Sequence, residues 1–141
     1  GKLPAIISGI PGHEIENVKV HDIYLHHRGG GTKESAAIQV PEDENKYPDP
    51  HMFGPILPAS GFFVRHAKNV EFTNIEIAYD SPDERPVFAV SEVDGADFFR
   101  IKAPAGAAGR VFSLNNVTEF RTLASRGIKD VEIDRVEQKL L

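Results

Sequence analysis

The chain has 141 residues and a mass of 15.5 kDa, enough for one domain with a sizeable core. Sixteen Lys and Arg against 21 Asp and Glu give a net charge of −5 without a basic block, which argues against a nucleic-acid partner. No apolar run approaches the ~20 residues of a membrane span. The absence of cysteine excludes disulfides, thiolate metal sites and a cysteine nucleophile. With one Met and no Trp, a Met-rich adaptable surface is also excluded.

The chain opens Gly1-Lys2-Leu3-Pro4, with no visible signal peptide and no initiating Met, so a processed or engineered start within a longer protein is expected. The first patterned segment follows. Ile15, Val18, Val20, Ile23 and Leu25 are spaced +3, +2, +3, +2. A +2 step keeps two side chains on one face of a strand, and a +3 step turns a corner and presents that face inward again.

Residues 28–60 break the pattern with a long Gly-, Pro- and charge-rich insertion. Its apolar residues Tyr47, Met52, Phe53, Ile56 and Leu57 are expected to pack on the strands. The insertion reads either as the border of a groove or as a cover over the wall. Beyond it, the spacing returns at Ala67, Val70, Phe72, Ile75 and Ile77, and again at Val93, Ala96, Phe98, Ile101 and Ala103. A weaker match begins at Val117, and Ile128, Val131, Ile133 and Val136 repeat the spacing once more.

The residue before the second place is Asn17, Asn69, Gly95 or Asp130, all types that tolerate a left-handed corner. Extra strands at Gly61–Val64, Pro86–Val90 and Arg110–Leu114 give each unit a third side. Units recurring every ~25 residues and built from short strands predict an all-β solenoid, most simply a parallel β-helix of about four or five coils. The competing architecture is an antiparallel β-sandwich. The chain is read as one β-helical domain over 1–141.

Four stretches carry a family resemblance: Ile7-Ser8-Gly9-Ile10-Pro11-Gly12-His13, Gly29-Gly30-Gly31-Thr32, Tyr47-Pro48-Asp49-Pro50-His51-Met52-Phe53-Gly54 and Gly61-Phe62-Phe63-Val64-Arg65-His66. Over roughly residues 5–105 the chain resembles the C-terminal third of the polygalacturonase-like family-28 glycoside hydrolases, which act on pectic polysaccharides. The resemblance implies a right-handed single-stranded parallel β-helix of the pectin-lyase-like kind. It also implies inverting hydrolysis by aspartates and a secreted or periplasmic parent protein.

The family's Asn-Thr-Asp, Asp-Asp and Gly-His-Gly motifs are missing here. Arg100-Ile101-Lys102 matches a fourth motif, but Ile101 already fills an inward place of the repeat, and the tripeptide follows the Tyr47–His66 segment where the family motif precedes it. No catalytic residue is therefore assigned, and this chain alone is expected to be inactive. The function expected is the C-terminal β-helix portion of a pectin-acting glycoside hydrolase, supplying coils and a groove-bordering loop. The alternative is a stand-alone carbohydrate-binding or structural module.

Substrate-binding candidates are the cationic and aromatic residues near the insertion: Arg28, Lys33, Tyr47, His51, Arg65 and His66. Arg pairs bidentately with sugar carboxylates, and Tyr stacks on sugar faces. Arg85 is a further cation there. The partner expected is a pectic polysaccharide or oligosaccharide. No cofactor is expected. No histidine spacing recommends a metal, although His26, His27 and His51 could meet if the loop folds back. Asp80, Asp83 and Glu84 read first as a proline-containing turn rather than as an acid/base pair. An uncapped first coil would expose backbone groups, so self-association through the N-terminal coil near Ala5–Ile10 is expected.

Overall fold

A computed structural model describes residues 3–104 and 110–141 as an all-β chain; Gly1 and Lys2, on which the reading of the start rests, lie outside that range. The strands are β1 (Ala5–Ser8), β2 (Ile15–Gly29), β3 (Phe62–Ser81), β4 (Phe88–Lys102), β5 (Phe112–Leu123) and β6 (Val131–Leu140). They form one six-stranded sheet in the order β1-β3-β4-β5-β6, with β2 also paired to β3. Strand β3 is long enough to carry both: β1 lies along Phe62–Arg65, and β2 along the stretch from Ala67 to Ser81.

The spacing sets the register. Ile15 pairs with Ala67, Ala67 with Val93, and Val93 with Val117, all in parallel. Each inward place thus sits on the matching place of the next strand. This parallel pairing departs from the antiparallel sandwich that short strands also allow.

The corners are left-handed, as the residue types require. Asn17, Asn69 and Gly95 have φ of 59°, 53° and 84°. A second corner, before the fourth place, holds Asp22, Asn74 and Arg100 at 58°, 57° and 54°. Side chains tie corner to corner across strands. Asn69 donates to Asn17 Oδ1 and Asn74 to Asp22 Oδ1, each at 2.8 Å. The Asn74 bond, followed by one from His21, holds the Asp22 carboxyl below its ordinary range. Arg100-Ile101-Lys102 is part of this frame. Ile101 is buried, and Lys102 pairs with Glu76 at 2.8 Å.

The core is a ladder of phenylalanines. Phe62, Phe88 and Phe112 are register partners whose rings stack 5.3 Å apart. Phe72 and Phe98 stack at 5.0 Å. At β5 the large residue moves one place: Phe120 lies opposite Ala96, and Thr122 opposite Phe98. The exchange of large and small partners keeps the interior filled. Among the described residues it leaves the buried Thr122 hydroxyl without a hydrogen-bond partner.

Strand β6 differs from the expected fourth unit. It runs antiparallel to β5, with Val117 opposite Val136 and Phe120 opposite Ile133. The four matching places are spaced +3, +2, +3, which reads the same in both directions, so the spacing carries no strand direction. Asp130 is accordingly not left-handed like its presumed counterparts; its carboxylate instead accepts from the Ala124 N–H at 2.9 Å.

The insertion packs on the outer side of β3 and β4. Met52, Phe53, Leu57 and Ala59 form a second cluster with Phe63 and Ala89. Tyr47 and Ile56, expected to pack there, remain exposed. Short helix α1 (Lys33–Ala36) and two 3-10 turns, Glu44–Lys46 and Pro50–Phe53, shape the rest of the loop.

Candidate functional site

Two buried arginines hold the insertion against the sheet. The first works at its root. Asp83 is fully buried, and its carboxylate accepts from Arg85 Nη2 at 2.8 Å, Arg85 Nε at 3.0 Å and the Gly31 N–H at 3.0 Å. Arg85 Nη1 also donates to the Leu57 carbonyl at 3.2 Å. Burial pushes the Asp83 carboxyl up, but the bonds from Arg85 and Gly31 outweigh it and leave it below its usual value. A Cβ at Gly31 would collide with Arg85 and Asp83, so this close approach explains one of the three consecutive glycines. The Lys33 N–H bonds to Glu84 Oε2 at 3.2 Å and completes the root.

The second clamp is Arg65, which is 4% exposed. Its guanidinium lies 5.4 Å from the ring centres of both Phe53 and Phe63. Nη1 donates to the carbonyls of Val40 and Pro41 at 3.1 and 3.2 Å. Glu42 stands 3.6 Å from Arg65 and 3.0 Å from His66 Nε2. Burial pushes the Arg65 guanidinium down, against the opposing pull of Glu42. Residues 33–42 are thus a strap fixed at both ends.

A groove of about 570 Å³ runs between this strap and the outer face of the strands. Its floor follows from the registers. Arg65, Ser91, Asn115 and Gln138 are successive partners on β3, β4, β5 and β6 and form a polar row. Phe63, Ala89, Ser113 and Leu140 form the less polar row beside it. Lys33 and Arg110 lie on the lining together with Glu42, Glu84 and Glu92. Each of these carboxylates already has a protein partner: His66 for Glu42, the Lys33 N–H for Glu84, and the Asn116 amide for Glu92 at 2.7 Å. The geometry suits hydrogen bonding to a polar ligand better than proton transfer.

Of the candidates named from sequence, the groove brings together Lys33 and Arg65. His66 adjoins it through Glu42. Arg28 sits exposed near the end of β2, and His51 is exposed and bonded to Asp49 at 2.7 Å. Tyr47 borders a separate apolar hollow of about 390 Å³ beside Ile6, Ile7, Ile15 and Val18. The turn carboxylates separate as well. Asp83 is spent on Arg85, whereas Asp80 is exposed and pairs with His26 at 2.7 Å. Among the described residues no group of three or more His, Asp or Glu is placed to hold a metal.

Sequence reasoning missed Ser91, Asn115, Gln138 and Arg110. The alignment of units would have placed Ser91 and Asn115 after Arg65 in one row. Gln138 joins only through the reversed β6. Comparison with protein-family models, curated proteins and solved structures finds no match to this chain.

Proposed function

We propose that the strands wind as a right-handed parallel β-helix and that the chain is the glycan-binding portion of a glycoside hydrolase acting on pectic polysaccharide. The observation that carries this reading is the groove: a polar row of Ser91, Asn115 and Gln138, one on each of β4, β5 and β6, walled by a strap that Arg65 holds at one end and Glu84 at the other. Such a surface offers directional hydrogen bonds to sugar hydroxyls at little ordering cost. Lys33 and Arg110 supply charge for uronic carboxylates. Catalytic carboxylates come from outside these 141 residues.

Titration calorimetry with oligogalacturonates tests the proposal. Saturable binding is expected, weakened about threefold to tenfold in Asn115→Ala through loss of hydrogen bonds. No reducing ends should be released by this chain alone. Absence of binding overturns the glycan reading. Turnover abolished by Asp80→Asn would establish an unforeseen active site.

A further inference from the structure

The sheet ends in two open edges: among the described residues neither β2 nor β6 has a strand on its outer side. Both edges carry the same columns of inward places. Ile15, Val18 and Val20 of β2 head the columns that run through β3 and β4 to Val117, Phe120 and Thr122 of β5. Those three pair with Val136, Ile133 and Val131 of β6. A second copy with its β2 along the outer edge of β6 therefore continues every column. Ile15 falls on Val136, Val18 on Ile133, Val20 on Val131 and Ile23 on Ile128. Because β6 runs against β5, the incoming β2 again runs parallel to strands β2 to β5 of the first copy.

The outward residues between these places select the partner. The column of Lys19 is already used for ion pairs. Lys19 meets Glu71 at 3.4 Å across β2 and β3, and Arg121 meets Asp97 at 3.2 Å across β4 and β5. On β6 the same column ends in Glu132, the register partner of Arg121. In the stacked copy Glu132 faces Lys19, Arg135 faces Glu16 and Lys129 faces Asp22, opposite charges at all three positions. Glu16, Glu132 and Arg135 are exposed and hold no ion pair among the described residues.

Pairing either edge with its own copy, on the same four places, does the reverse. Two β6 edges set Glu132 against Glu132 and Lys129 against Arg135. Two β2 edges set Lys19 against Lys19 and Glu16 against Asp22. Directly opposed like charges destabilise a strand pair, and opposite charges stabilise it.

We infer that the chain is its own partner, with β2 of one copy adding to β6 of the next in an open head-to-tail row. This is independent of the glycan reading. The two contact faces lie at opposite edges of the sheet, so the contact propagates instead of closing on itself. Its extent is limited by Lys139, which is exposed opposite the buried Leu114 and falls on Ile7 of the next copy. A charge in an inward column blunts an edge. Residues 15–23 of β2 therefore carry the contact, and the association is reversible.

Sedimentation velocity over a range of concentrations tests the row, with every substitution at an exposed position. The wild-type chain should form species larger than dimers as its concentration rises. The β2 variant Glu16→Lys with Lys19→Glu, and the β6 variant Glu132→Lys with Arg135→Glu, should each associate at least about tenfold more weakly. Combining the four substitutions in one chain, or mixing the two variants in equal amounts, restores opposite charges and should restore assembly. A monomeric wild-type chain overturns the inference. So does a dimer that grows no further and keeps its strength in the β6 variant, or a loss that neither the combined chain nor the mixture recovers.

Discussion

Strands β2 and β3 carry the same five-place spacing, pair with each other at all five places, and differ in burial at every one. Ala67, Val70, Phe72, Ile75 and Ile77 of β3 are at most 2% exposed. Ile15, Val18, Val20, Ile23 and Leu25 of β2 are only partly buried, because among the described residues β2 has a paired strand on one side alone. Spacing decides which side chains face inward; stacking on both sides decides whether inward means buried. At the opposite edge, β6 has the same half-buried apolar places, but its chain turns back, and Leu141 exchanges backbone bonds with Phe112.

The largest contrast comes from truncating equivalent apolar places. Phe98→Ala removes a ring stacked on Phe72 and edge-on to Phe88 and Phe112, and should cost about 3–5 kcal/mol. Ile23→Ala at the β2 edge should cost roughly 1 kcal/mol, because part of that side chain already meets water. Urea denaturation of both variants measures the difference, and equal losses would mean that β2 is covered in solution.

Nearly as large is the effect of breaking the root of the strap. Asp83→Ala leaves Arg85 without its carboxylate in a buried site and should cost about 3–5 kcal/mol. A loss below about 1 kcal/mol would show that the pair is solvated.

The β2 edge should also self-associate, since unpaired backbone and half-buried apolar places invite another strand. Sedimentation velocity of the wild-type chain should show concentration-dependent dimers or larger species. The double variant Val20→Lys and Ile23→Lys should be monomeric. A monomeric wild-type chain at high concentration contradicts this expectation.

A smaller gain is expected where the register shift at β5 left a hydroxyl unsatisfied. Thr122→Val keeps the shape, removes the buried orphan, and should stabilise by about 1 kcal/mol.

The finest difference is in pH. His27 is buried on β2, and its Nδ1 accepts the Gly29 N–H at 2.9 Å. Burial, then Arg85, holds its imidazole below the ordinary value, while Asp83 opposes them. The unfolded chain therefore takes up a proton at higher pH than the folded one. This contribution to stability is complete above about pH 6.5 and declines as the pH falls from there towards the depressed folded value. His27→Gln should flatten that part of the stability profile. The Asp83 contribution is lost only at lower pH, below about 3.9.

The inward places of β2, β3 and β4 were legible because each +3 step falls at a corner and each +2 step along a strand. The direction of β6 was not, since Ile128 to Val136 reads alike both ways and only the pairing with Val117 and Phe120 decides it. Arg65 and His66 stood out in the sequence as cations near the insertion. What they touch, the Val40 and Pro41 carbonyls and Glu42, depends on how the loop folds back. The groove floor was half legible: Ser91 and Asn115 follow from the unit alignment, but no local pattern marks an exposed Ser or Asn as part of a row.

Backbone amide shift mapping of the isotope-labelled chain with trigalacturonate tests the central claim most directly. Saturating perturbations concentrated at Ser91, Asn115, Gln138 and the strap residues 38–42 are the predicted result. Perturbations absent there, or centred instead on Tyr47 and His51, would contradict it.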